Sequence, residues 1–122
     1  MAGASVGRMD SLIYKILDRA EWIAARDAGS YAGSADDLRD GFIHFSTAAQ
    51  VPGTLARHFA GRGNLVIAAF SPASLGPALR MEASRKGELF PHLYGPLDPG
   101  LAVKVHALNR DGAGEFILPP LA

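Results

Sequence analysis

Apolar residues fall into short runs separated by glycine, proline and charged residues, and the period of each run predicts an element. LIYKIL (12–17) is β-branched and apolar, which predicts a buried strand. Asp18 and Glu21 have the spacing of a capping box, so DRAEWIAARDAG reads as a helix ending at Gly29, with Leu17, Trp22, Ile23 and Ala25 on its inner face. Residues 34–40 predict a second short helical turn closed by Gly41. FIHF (42–45) reads as a strand running into Ser46 and Thr47. A turn through 47–50 then leads to a helix from about Pro52 to Gly61.

NLVIAAF (64–70) has the pattern of a central strand, and SPASLGPA that of a loop. LRMEA (79–83) predicts a short strand, and RKGELFPHLYGPLDPG is read as mostly loop from its prolines and glycines. In AVKVHAL (102–108), Val103, Val105 and Ala107 alternate with Lys104, His106 and Leu108. EFILP (115–119) predicts an edge strand stopped by Pro119 and Pro120. Six strands and two substantial helices, with helices early and strands late, predict an α+β fold.

A chain of 122 residues has the size of a single domain. Residues 1–10 are small and polar and are expected to fray, with Met9 an alternative start, which leaves 11–122 as the domain. Twelve basic and twelve acidic residues cancel, so no net field recruits nucleic acid or an anionic membrane. The longest apolar run, Leu65 to Phe70, is far too short to span a bilayer, and the N-terminus lacks a signal-like apolar stretch. There is no cysteine, hence no disulfide framework and no thiolate metal site. A cytoplasmic protein is the expectation, with its oligomeric state open.

The chemistry concentrates in two stretches. In GFIHFSTAAQV (41–51) the strand period puts Ile43 and Phe45 on one face and Phe42, His44 and Ser46 on the other. If the first face meets the core, His44 and Ser46 point together beside a helix N-terminus, where free N–H groups receive an anion. The alternative is a buried, hydrogen-bonded His44 with Ser46 acting only as a cap. In FPHLYGPL (90–97), His92 and Tyr94 repeat the histidine-x-hydroxyl spacing on a stiff loop expected to fold over a cavity or to seal the core. Glu82, among apolar neighbours in LRMEAS, is a candidate carboxylate base or cation stabiliser, or else a partner of Arg80 or Arg85.

Other signatures are absent. The sequence has no G-x-S-x-G, no phosphate-binding G-x-x-x-x-G-K-[ST], no complete dinucleotide fingerprint and no H-E-x-x-H, and its basic residues form no aromatic-interleaved stripe. No metal is expected.

IYKIL, the helix with Trp22, GFIHFSTAAQV, LVIAAF, RMEAS, LFPHLYGPL and GEFILP follow one another as in an uncharacterised bacterial family, the domain of unknown function DUF 952. The chain resembles that family from about residue 12 to 120. The family is grouped by fold with the ADP-ribosyltransferase-like superfamily. The resemblance therefore implies an α+β, ADP-ribosyltransferase-like fold of split antiparallel sheets around a cleft, with peripheral helices. By position it implies that Lys15, where many relatives carry histidine, meets the adenosine end of NAD. It implies that Ser46 supplies a hydroxyl, and that Glu82 assists cleavage of the nicotinamide–ribose bond through an oxocarbenium-like state.

The expected protein binds a small-molecule or nucleotide-like ligand, with NAD a possible cofactor. Its cleft would be lined by Tyr14, Lys15, Ser46 and Tyr94 as binding residues and His44, Glu82 and His92 as catalytic ones. Lys15 would contact phosphate, His44 and Ser46 would hold ribose, and Glu82 would stabilise positive charge. The alternative is a ligand-sensing or interaction domain that kept the fold without the chemistry.

Overall fold

The computed structural model describes residues 11–84 and 86–121; the N-terminal segment 1–10, with its expected fraying, and Arg85, offered above as a partner of Glu82, lie outside the described residues. The fold is α+β, with two antiparallel sheets. Strand β1 (Ile13–Asp18) leads into helix α1 (Arg19–Ala28) and then the short helix α2 (Ala35–Asp40). Strands β2 (Ile43–His44) and β3 (Ser46–Thr47) follow, then a 3-10 turn (Ala48–Gln50) and helix α3 (Val51–His58). After β4 (Leu65–Phe70) comes the short helix α4 (Pro72–Leu75), with a further 3-10 turn at Gly76–Ala78. Strands β5 (Leu79–Ala83), β6 (Leu89–Leu93), β7 (Lys104–Arg110) and β8 (Phe116–Ile117) complete the chain.

The larger sheet has the order β3-β1-β4-β7-β8 and the smaller one β2-β6-β5. Strand β4 is buried along its whole length because the larger sheet is covered on both faces. On one face Ile13, Leu17, Val66, Ala68 and Phe70 meet Trp22 and Ala25 of α1, Ile43 and Leu93 of the smaller sheet, and Phe45 between the two sheets. On the other, Tyr14, Ile16, Leu65, Ile67 and Leu108 meet Val51 and Leu55 of α3. A strand covered on both sides reads as continuous apolar sequence, as LVIAAF does.

Four sequence expectations change here. FIHF is not one strand: the chain leaves the smaller sheet after His44 and joins the larger one at Ser46. Phe45 makes the crossing, its ring edge-on to Phe70 at 5.8 Å between centroids. FPHLYGPL is not a loop throughout: its first half, Phe90 to Leu93, belongs to the central strand of the smaller sheet. Proline is tolerated there because its missing N–H faces the side where β2 ends; the Pro91 carbonyl on that side accepts from the Phe45 N–H at 3.0 Å. The Asp18 side chain does not cap α1 but pairs with Arg62 at 2.7 Å, and Ile23 lies half exposed rather than inward. The apolar Val103 and Val105 of the β7 region also face outward, while Leu108 is buried.

Candidate functional site

The smaller sheet turns Ile43 and Leu93 into the core, so its opposite face carries His44, His92, Arg80 and Glu82, with Phe42 and Tyr94 flanking them at the strand ends. His44 of β2 is the register partner of His92 on β6, although forty-eight positions separate them. Their rings stand edge to face with centroids 5.6 Å apart. Phe42 stacks on His92 at 4.0 Å and reaches the rings of His44 at 4.6 Å and Tyr94 at 5.3 Å.

Each histidine is held at Nδ1 by a carboxylate. His92 Nδ1 lies 2.8 Å from Glu82 Oε1, and the Tyr94 hydroxyl donates to the same oxygen at 2.7 Å. These hydrogen bonds, His92 first and then Tyr94, hold the Glu82 carboxyl below its ordinary pKa, while donation to Glu82 pushes the Tyr94 phenol up. An ionised carboxylate only accepts, so Nδ1 of His92 carries a proton, and in the neutral ring Nε2 is the acceptor. No hydrogen bond occupies His92 Nε2 among the described residues.

His44 Nδ1 lies 2.6 Å from Asp37 Oδ1, and its Nε2 lies 3.0 Å from Asp40 Oδ2. Both ring nitrogens stand within about 3 Å of a carboxylate oxygen. His44 is thus committed at both ring nitrogens, whereas His92 keeps one open.

Asp37 is the hub that the sequence reading missed. It sits in the first turn of α2, where Ser34 and Asp37 form a capping box, and its carboxylate also accepts from the His44 N–H at 3.1 Å and from Lys15 Nζ at 2.9 Å. Burial works to raise its pKa, but the hydrogen bonds and charges of His44 and Lys15 prevail and hold the carboxyl well below the usual range. Lys15, 5 % exposed, is lowered by burial against the opposing pull of Asp37. The clue was in IYKIL itself: a lysine inside a buried strand requires a carboxylate partner. Gly41 (φ 88°) closes α2 in the left-handed conformation and turns the chain back so that His44 reaches Asp37 and Asp40.

The seven predicted site residues therefore divide. His44, Glu82, His92 and Tyr94 converge. Lys15 joins them only through Asp37 and is withdrawn from any ligand phosphate. Tyr14 lies on the opposite face of β1 in the α3-side core, 2 % exposed. Ser46 is buried and bonds Thr54 Oγ1 at 2.8 Å instead of sharing a pocket with His44, because the switch between sheets separates them. Glu82 pairs with His92 and Tyr94, not with Arg80. His92, expected on a loop, is 9 % exposed on a central strand, while the His44 side chain is 37 % exposed.

The histidine face is lined by the exposed Arg80 and Tyr94 and the half-buried His44 and Glu82 around the buried His92. Two cavities, of about 480 and 260 Å³, lie elsewhere: the first between Trp22 and Arg26 of α1 and Val103 and Lys104, the second beside Glu21 and Tyr31. Among the described residues no group of three or more His, Cys, Asp or Glu side chains is placed to hold a metal ion. No helix among them is long and apolar enough to cross a membrane.

Comparison with known proteins agrees with this architecture. A family model described as Protein of unknown function (DUF952) matches residues 16–105. The chain is similar to the crystal structure of protein CC0527 from Caulobacter crescentus, with a TM-score of 0.82 and 48% identity over 87% of this chain and 93% of that one. The solution NMR structure of CC0527 gives a TM-score of 0.77 and 49% identity, covering 85% of this chain and 90% of that one. No curated protein matches the chain.

Proposed function

The chain belongs to the DUF952 family of proteins of unknown function, and we propose that it binds a small nucleotide-like ligand on the histidine face of its smaller sheet, with His92 as the acid–base group. The observation that carries this reading is the Glu82–His92 pair: the carboxylate fixes the ring at Nδ1 and leaves Nε2 as an unoccupied acceptor. A carboxylate behind a histidine orients the ring and stabilises its protonated form, the arrangement needed to take a proton from a bound hydroxyl. Phe42 and Tyr94 supply flat surface beside it for a base or another planar group.

Kinship with the ADP-ribosyltransferase-like superfamily is part of the proposal. It is supported by the split pair of antiparallel sheets and by a basic residue on the first strand. NAD and ADP-ribose are accordingly among the ligands to test. A second reading, ligand sensing without turnover, is favoured by one contact: Lys15, which would meet the phosphate of NAD, is engaged by Asp37.

Backbone amide shift mapping with NAD, ADP-ribose and AMP at millimolar concentration tests the site. The expected shifts cluster at Phe42, His44, Glu82, His92 and Tyr94. No shifts, or shifts confined to the Trp22–Val103 cavity, would remove the site. Nicotinamide release from NAD by the wild type but not by His92→Ala would favour the enzyme over the sensor.

A further inference from the structure

The register of the smaller sheet sets a row of three basic side chains across all of its strands. His44 of β2 is opposite His92 of β6, and His92 is opposite Arg80 of β5. Register partners share a face, so the row is continuous and, at about 4.8 Å per strand spacing, spans about 10 Å. Its members are not equivalent. His44 is engaged by Asp37 and Asp40, and His92 by Glu82. Arg80 is exposed and forms no ion pair among the described residues, and its guanidinium stands 5.1 Å over the Tyr94 ring. Stacking on an aromatic face pre-orients the planar guanidinium while leaving its edge donors available.

We propose that Arg80 is the phosphate anchor of this face, and that the ligand presents a terminal phosphomonoester to Arg80 and His92. The inference rests on the ligand site proposed above and takes over the part that the sequence had given to Lys15. Two phosphate oxygens match the guanidinium fork in bidentate fashion. A phosphomonoester whose second pKa is about 6 also carries a P–OH for part of the time near neutral pH, and that group donates to His92 Nε2. A nucleoside lacking the phosphate keeps only the aromatic surface of Phe42 and Tyr94. Glu82 faces the same way as Arg80 and stays ionised, with its Oε1 turned to His92 and Tyr94, so the guanidinium and the P–OH donation to His92 must outweigh its repulsion of an anion.

Calorimetric titration of the whole chain with AMP and with adenosine, at low ionic strength, tests the assignment. AMP is expected to bind at least tenfold more tightly than adenosine. Arg80→Gln is expected to abolish that gap, and Arg80→Lys to restore part of it by supplying charge without the fork. Lys15→Met should leave the gap intact. Equal affinity for AMP and adenosine in the wild type, or a gap that survives Arg80→Gln, overturns the role of Arg80 while the ligand face stands, provided adenosine still perturbs His92. Failure of both compounds to bind overturns the anchor and the site together.

Discussion

Asp37→Ala is expected to destabilise the protein by about 3–5 kcal/mol, the cost of removing one partner from a buried ion pair. The structure explains the size. The Asp37 carboxylate accepts from Lys15 Nζ, the Ser34 N–H, the His44 N–H and His44 Nδ1. Its loss leaves an ammonium group that is 5 % exposed without its counter-charge. Lys15 can escape by losing its proton, and deprotonating a lysine of ordinary pKa at pH 7 costs about 4.6 kcal/mol, which caps the penalty from the charge. Lys15→Met should cost less, about 1–2 kcal/mol, because Asp37 keeps three of its donors. Urea melts at pH 7 provide the assay: with a slope near 1.5 kcal/mol/M, a loss of about 4 kcal/mol moves the midpoint down by about 2.7 M. An Asp37→Ala variant within about 1 kcal/mol of the parent, or one more stable than Lys15→Met, would refute the reasoning.

Acid should weaken the fold through the same residue. Asp37 has a folded pKa below its unfolded value, so its stabilising contribution is complete above about pH 4 and is lost as pH falls toward the folded value; the urea midpoint should decline there in the wild type and less steeply in Asp37→Asn. Gly41→Ala should cost about 1 kcal/mol in a thermal or urea melt, a purely backbone effect, since a Cβ there meets nothing within 4 Å while φ is 88°. Ser46→Ala should cost about 1 kcal/mol and leave nucleotide affinity unchanged, since Thr54 still donates to the Gln50 carbonyl and Ser46 lies away from the histidine face; a change in affinity without a change in stability would return Ser46 to the site.

Local signals in the sequence carried the elements whose cause is local. LVIAAF is apolar throughout because β4 is covered on both faces, and Ser34 and Gly41 bracket α2 as a cap and a left-handed stop. Elements whose cause is distant were misread. Pro91 and Gly95 suggest a loop, and only the position of Pro91 opposite the end of β2 makes a central strand tolerable. The Asp18–Glu21 spacing suggests a cap, yet Arg62, forty-four residues on, takes the Asp18 carboxylate.

The candidate site follows the same division. The histidine-x-hydroxyl spacing singled out His92 and Tyr94, and Arg80 was weighed as a partner of Glu82, but the shared face of these four comes only from the strands β5 and β6. The register that brings these pairs to His44, and the link from Lys15 to Asp37 across twenty-two residues, are tertiary facts. His44 and Ser46 share a strand period but not a sheet, so periodicity alone joined two residues that the fold separates.

Nitrogen-15 spectra of the histidine rings, recorded before and during a titration with AMP, test the central claim most directly. Before ligand, neutral His92 should show the proton on Nδ1, held there by Glu82. As AMP is added, His92 Nε2 should shift, while His58 on α3 and His106 on β7 stay unmoved. A His92 ring protonated at Nε2 in the free protein, or one that responds to AMP no more than His58 and His106 do, would contradict the account.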